Sequence, residues 1–118
     1  MTTSKETPLV SVLRAGDIKV SGDNEWGAIA TAYRSPDRSR AAGIWSFGAG
    51  SFDYKPNHEE LLYVIEGTVE VAMDAGESFS LTCGDLAYFP ANIRAHWNAT
   101  VPVRAAFCSL ADEIPLDY

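Results

Sequence analysis

Several features are scarce in this chain, and each scarcity removes a class of protein. Cysteine occurs only twice in 118 residues. Cys83 and Cys108 form neither a CxxC pair nor a zinc-type spacing, so the expectation is two free thiols, with no disulfide framework and no zinc site. Basic residues number 9 against 16 acidic ones, and the formal net charge is −7. Phosphate backbones and anionic membrane surfaces attract positive protein, so no nucleic-acid partner and no membrane partner is expected. No apolar run approaches the ~20 residues that a membrane helix needs. The opening stretch from Met1 to Pro8 lacks the apolar segment of a secretory signal, which leads to a cytoplasmic expectation. Repeats and low-complexity tracts are missing. Helical patterning is nearly missing as well: its best place is the tail from Leu110 to Tyr118, where Pro115 limits it.

What the chain does have is apolar residues in alternation. Hydrophobic residues make up 47% and charged residues 21%, a balance that supports a packed core. The length suits one domain over residues 1–118, with residues 1–8 read as a mobile arm. Extended runs are predicted at Trp26–Tyr33, Ala42–Phe47, Leu61–Ile65, Thr68–Met73, Ser78–Thr82, Leu86–Phe89, Arg94–Asn98 and Val101–Leu110, with Val10–Val20 as a further edge strand. Turn residues separate them: Glu66-Gly67, Asp74 to Glu77, Gly84-Asp85 and Pro90 to Asn92. Many short strands at such intervals predict an all-β sandwich or barrel. Arg34, Arg38 and Arg40 fall in a polar loop with Ser35, Asp37 and Ser39 and read as solvated. Cys83 is placed at a strand end and Cys108 in the core.

One set of spacings carries more information. Gly48, Glu60 and Gly67 lie 12 and 7 positions apart, and Gly84-Asp85 is followed by Pro90 and Asn92. In this frame the sequence resembles the cupin superfamily. The first cupin motif falls at Gly48, Tyr54, Pro56, Glu60 and Gly67, and the second at Gly84, Pro90, Asn92, Ala95 and Ala99. The frame residues are kept, whereas Tyr54, Pro56 and Ala95 stand where the motif has histidines. A nearer resemblance is to the small single-domain group containing the ureidoglycine aminohydrolase and ethanolamine-utilisation cupin domains. It rests on Trp45, Ser51-Phe52, Glu60, Tyr63, Ile65-Glu66-Gly67, Gly84-Asp85, Phe89-Pro90, Trp97 and Pro102-Val103-Arg104, across residues 40–110. The resemblance implies a jelly-roll (double-stranded β-helix), RmlC-like barrel.

Glu60 is the foremost candidate for chemistry. A carboxylate that opens an apolar strand and points into a barrel would have a raised pKa, suited to acid or base work. Its alternative is a structural ion pair with Arg94 or Arg104. Tyr54, His58, Tyr63, Arg94, Trp97 and Trp45 are the candidate ligand-binding residues. Strand parity places Tyr54 with Glu60 and Tyr63 on the other side. His96 is expected to face away from the cavity, one residue out of phase with Ala95. No cofactor is expected. If a transition metal binds at all, its ligands would be His58, Glu60 and Tyr54. Three functions remain open: a metal-independent enzyme acting on a small polar metabolite, a non-catalytic metabolite-binding or accessory module, and a metal-dependent, aminohydrolase-like enzyme with a degenerate site. The resemblance also implies a homodimer, for which Val10–Val20 and Trp26–Tyr33 supply strand material.

Overall fold

Residues that alternate apolar with polar place one face of each strand in a core and the other in water. In the computed structural model, residues 10–14 and 26–110 are described. They form nine strands: β1 (Ala28–Arg34), β2 (Arg40–Phe47), β3 (Gly50–Tyr54), β4 (Glu59–Glu66), β5 (Thr68–Met73), β6 (Ser78–Thr82), β7 (Leu86–Phe89), β8 (Ala95–Ala99) and β9 (Val103–Leu110). Eight of them lie where extended runs were predicted. The other, β3, was not predicted as a strand. It is short and bounded by glycine, yet its Ser51, Phe52, Asp53 and Tyr54 alternate outward and inward. The mobile arm, the tail helix and the greater part of the Val10–Val20 strand fall outside the described residues. Within that strand, Val10 to Arg14 are described and are not extended into a sheet. No helix among the described residues is long and apolar enough to cross a membrane.

The strands form two sheets. The larger has the order β1-β2-β9-β4-β7 and the smaller β3-β8-β5-β6. All pairings are antiparallel. The crossovers between sheets, with sequence-distant strands side by side, give the jelly roll that the resemblance implies.

Inward side chains from both sheets meet in one core. Trp45, Phe47, Phe52, Leu62, Val64, Val69, Val71, Leu81, Phe89, Trp97, Val103 and Phe107 are buried there. The centre is aromatic. Phe52 stacks on Trp97 at 5.9 Å, and Trp45 meets Trp97 edge-on at 5.9 Å. Phe47 and Phe89 extend the set, 5.1 Å from Phe52 and 5.2 Å from Trp97. Trp45 also donates its indole N–H to the carbonyl of Trp26, tying the segment before β1 to the core. Cys108 is not a core residue as predicted. On β9 the deeply buried positions are Val103, Ala105, Phe107 and Ser109, so Cys108 alternates to the outer face. Both cysteines are free thiols.

One corner depends on a glycine. Gly67, between β4 and β5, has φ +86, and a Cβ there would lie 2.1 Å from the carbonyl oxygen of Pro102. The register of β4 against β9 shifts just before it, between Val64 and Glu66. Gly84 also has a positive φ, +95, but a Cβ there would meet nothing within 4 Å. Asn92 takes the left-handed conformation expected of it, at φ 64.

Candidate functional site

Three of the buried polar residues, His58, Glu60 and Ser109, gather at one end of the barrel. On β4 the buried positions are Glu60, Leu62 and Val64, and their neighbours Glu59, Leu61 and Tyr63 are exposed. Parity therefore turns Glu60 inward, where its register partners are Ser109 on β9 and Phe89 on β7. The matching row of the smaller sheet is Tyr54, Ala95 and Met73. The segment between β3 and β4, Lys55 to His58, turns His58 inward as well. Glu60 retains 7% and His58 2% of their surface, so an acid and an imidazole are both deeply buried.

Their contacts form a chain. Nε2 of His58 lies 3.5 Å from Oε2 of Glu60 and 3.5 Å from the hydroxyl of Tyr54. Nδ1 of His58 lies 3.1 Å from Oδ1 of Asn57. An amide oxygen only accepts, so Nδ1 holds a proton. Nε2 then accepts from the Tyr54 hydroxyl when bare, or donates to Glu60 when protonated. The hydroxyl of Ser109 donates to Oε2 of Glu60 at 3.2 Å. Phe89 stands opposite Glu60, Phe52 and Trp97 form the next inward pair of the smaller sheet, and Nε1 of Trp97 is buried with no hydrogen-bond partner. A carboxylate in such surroundings is costly to desolvate, and its hydrogen bonds offset that cost only in part.

The structure thus brings together Tyr54, His58 and Glu60, with Trp45 and Trp97 in the aromatic centre. Tyr63 and Arg94 are not part of the group. Tyr63 projects from the outer face of β4, as parity predicts. Arg94 precedes β8 on the outside and pairs with Asp53 at 3.0 Å and Asp74 at 4.0 Å. The alternative for Glu60 was an ion pair with Arg94 or Arg104; its contacts are instead with His58 and Ser109. Ser109 was missed, although the inward alternation Val103, Ala105, Phe107, Ser109 is readable in the sequence. His96 faces outward, with Nδ1 2.8 Å from Asp53. The hydrogen bonds from His96 and then Arg94 hold the Asp53 carboxyl below its ordinary range. In the loop between β1 and β2, Asp37 accepts from the Ser39 hydroxyl at 2.7 Å and the Ser35 hydroxyl at 2.8 Å. These bonds lower its pKa to about 2.

A metal of the kind cupin barrels imply needs several nitrogen and oxygen donors converging. Of the motif's ligand positions only Glu60 and Tyr54 carry an oxygen donor and none carries an imidazole, because Tyr54, Pro56 and Ala95 stand at the histidine positions. No group of three or more His, Cys, Asp or Glu converges among the described residues. One imidazole, one carboxylate and one phenol do not fit that kind of centre.

With this geometry in place, comparison with known proteins is informative. Residues 34–107 match the EutQ-like cupin domain family. A DUF861 family protein from Thermotoga maritima is 34% identical, over 54% of this chain and 73% of its own, with a TM-score of 0.53. The EutQ protein of Clostridium difficile is 21% identical, over 84% of this chain and 78% of its own, with a TM-score of 0.68. The Cnp3 cupin domain of Schizosaccharomyces pombe has a TM-score of 0.68 at 15% identity, over 85% of this chain and 73% of its own. The last two share the fold. No curated protein matches the chain.

Proposed function

The chain belongs to the EutQ-like cupin domain family, and on that premise we propose that the polar end of its barrel binds a small polar metabolite and exchanges a proton with it through Glu60. The observation that carries this reading is the buried Glu60 carboxylate, in contact with His58 and Ser109 at the end of an otherwise apolar interior. A buried acid beside an imidazole is costly to a fold and suits general acid–base catalysis.

In this reading His58 relays the proton. Asn57 fixes its ring through Nδ1, and Nε2 faces both Glu60 and the Tyr54 hydroxyl. Tyr54 and Ser109 orient the ligand, and Trp97 offers an indole N–H to an acceptor on it. Arg94 is engaged outside by Asp53 and Asp74, so recognition of a carboxylate or ureido group by that arginine plays no part. A ligand with a neutral or cationic donor facing Glu60 suits the site. The chemistry proceeds without a transition metal.

The test is a thermal-shift screen of small amines, amides and hydroxylated metabolites, since a ligand that prefers the folded state raises the melting temperature. With a hit in hand, Glu60→Gln is compared with wild type. Loss of turnover on the order of 100-fold supports proton transfer by Glu60. Binding with no turnover in wild type makes the domain a binding or accessory module. Stoichiometric transition metal in elemental analysis of native protein overturns the metal-free chemistry.

A further inference from the structure

The polar end of the barrel is shut. Glu60 and His58 keep 7% and 2% of their surface, so no metabolite reaches the carboxylate while the barrel stands as it does. Much of the enclosing wall is strand. Glu60 is laddered to Ser109 on one side and to Phe89 on the other, and Tyr54 is paired with Ala95. Parting those strands breaks ladder hydrogen bonds and opens the core. The rest of the wall is two connections, residues 55–58 between β3 and β4 and residues 90–94 between β7 and β8. The N–H of Asn92 donates to the Pro56 carbonyl at 2.7 Å and joins the two.

From this arrangement we infer that residues 55–58 are a gate over Glu60, with His58 as its plug and the Asn92–Pro56 bond as its latch. The inference rests on the reading that a ligand meets Glu60. Tyr54, Glu60 and Ser109 lie in β3, β4 and β9, whereas His58 lies in the connection. Its Nδ1 is 3.1 Å from Oδ1 of Asn57, within the same segment, so ring and segment move as one unit. Its Nε2 is 3.5 Å from the Tyr54 hydroxyl on the smaller sheet and 3.5 Å from Glu60 on the larger. Both distances are at the long end of hydrogen bonding, so these two contacts oppose withdrawal of the ring only weakly.

The other connection is the fixed post. The Arg94 carbonyl accepts from the Asp74 N–H at 3.1 Å, and the Arg94 guanidinium pairs with Asp53 at 3.0 Å. Asn92 holds its latching N–H in place through a left-handed backbone, φ 64. Opening releases the latch and lifts His58 away, which uncovers the Glu60 carboxylate and the Tyr54 hydroxyl together. Closing behind a ligand returns the imidazole to the proton it relays. Segments of this kind, outside the strand ladders, open at far lower cost than the core.

Carbethoxylation by diethyl pyrocarbonate tests the gate on the full chain without any ligand. The chain has two histidines, and peptide mass separates them. His96, 54% exposed, gives the rate of an open imidazole. His58 is expected to react more slowly than His96, yet with a protection on the order of 100-fold smaller than that of the β9 amides in hydrogen exchange. Gly67→Ala, at the far end of β4, is expected to speed exchange of the β9 amides and leave the His58 rate unchanged. Asn92→Ala, which makes the left-handed conformation at the latch costlier, is expected to speed His58 roughly 5–10-fold, and Asn92→Gly to hold it near wild type. The gate is overturned if His58 reacts as fast as His96 or is protected as fully as the β9 amides. It is equally overturned if Gly67→Ala speeds His58 in step with those amides, or if Asn92→Ala leaves it unchanged. With no ligand in the experiment, these outcomes are separate from the metabolite screen and the Glu60→Gln comparison that decide proton exchange.

Discussion

Replacing Gly67 with alanine tests whether the β4–β5 corner is set by space as well as by backbone conformation. Gly67 and Gly84 have similar positive φ values, +86 and +95. Alanine pays the same conformational penalty at each, about 1–2 kcal/mol. The surroundings differ: the new methyl would lie 2.1 Å from the Pro102 carbonyl oxygen at position 67 and touch nothing within 4 Å at position 84. The Pro102 carbonyl belongs to the backbone that leads into β9, at the middle of the larger sheet, so the contact is relieved only by moving that strand. Overpacking of this kind adds about 1–3 kcal/mol. Gly67→Ala is therefore expected to cost roughly 2–5 kcal/mol, against about 1–2 kcal/mol for Gly84→Ala. Urea unfolding at one fixed protein concentration reads the difference. With m of about 1–3 kcal/mol/M, the Gly67→Ala midpoint should lie on the order of 1 M below that of Gly84→Ala. Coincident midpoints with equal m would refute the steric argument and leave φ as the whole effect.

Three further outcomes follow from individual contacts. Trp45→Phe removes a donor that serves the Trp26 carbonyl, whereas Trp97→Phe removes a buried N–H with no partner; in denaturant titrations Trp45→Phe should be the more destabilising by roughly 1–2 kcal/mol, and a reversed order would contradict the assignment. The depressed Asp53 pKa, caused first by His96 and then by Arg94, means that its contribution is present above the ordinary carboxylate pKa and lost as pH falls through the folded value. Asp53→Asn should flatten the acid limb of the melting-temperature profile below about pH 4, and an unchanged limb would count against the triad. The Tyr88 hydroxyl donates to Glu59, which raises its pKa above 10.0; Glu59→Gln should let one tyrosine ionise earlier in an alkaline absorbance titration, and an unaltered curve would dismiss that bond.

Much of the architecture was legible because it rests on local rules. Thr68–Met73, Ser78–Thr82 and Leu86–Phe89 show a period of two between turn residues, and β5, β6 and β7 occupy those residues. The inward direction of Glu60 and the outward direction of Tyr63 and His96 followed from the same parity. The site was only partly legible. Parity assigns a face, but the partner across the barrel depends on which strands become neighbours. Ser109 reaches Glu60 because β9 inserts between β2 and β4, a long-range pairing that no local pattern encodes. Arg94 belongs to no strand, so parity did not govern it, and two outer carboxylates hold it outside. β3 escaped detection because its five residues give only a brief alternation beside Gly48 and Gly50.

The edge-on approach of the Trp45 and Trp97 rings has a use of its own. Two indoles fixed close together and nearly at right angles couple their electronic transitions, and the coupling has a handedness set by the surrounding barrel. Near-ultraviolet circular dichroism of this protein should therefore be dominated by that pair. It offers an optical reporter of whether the interior keeps its order while the strands themselves remain paired.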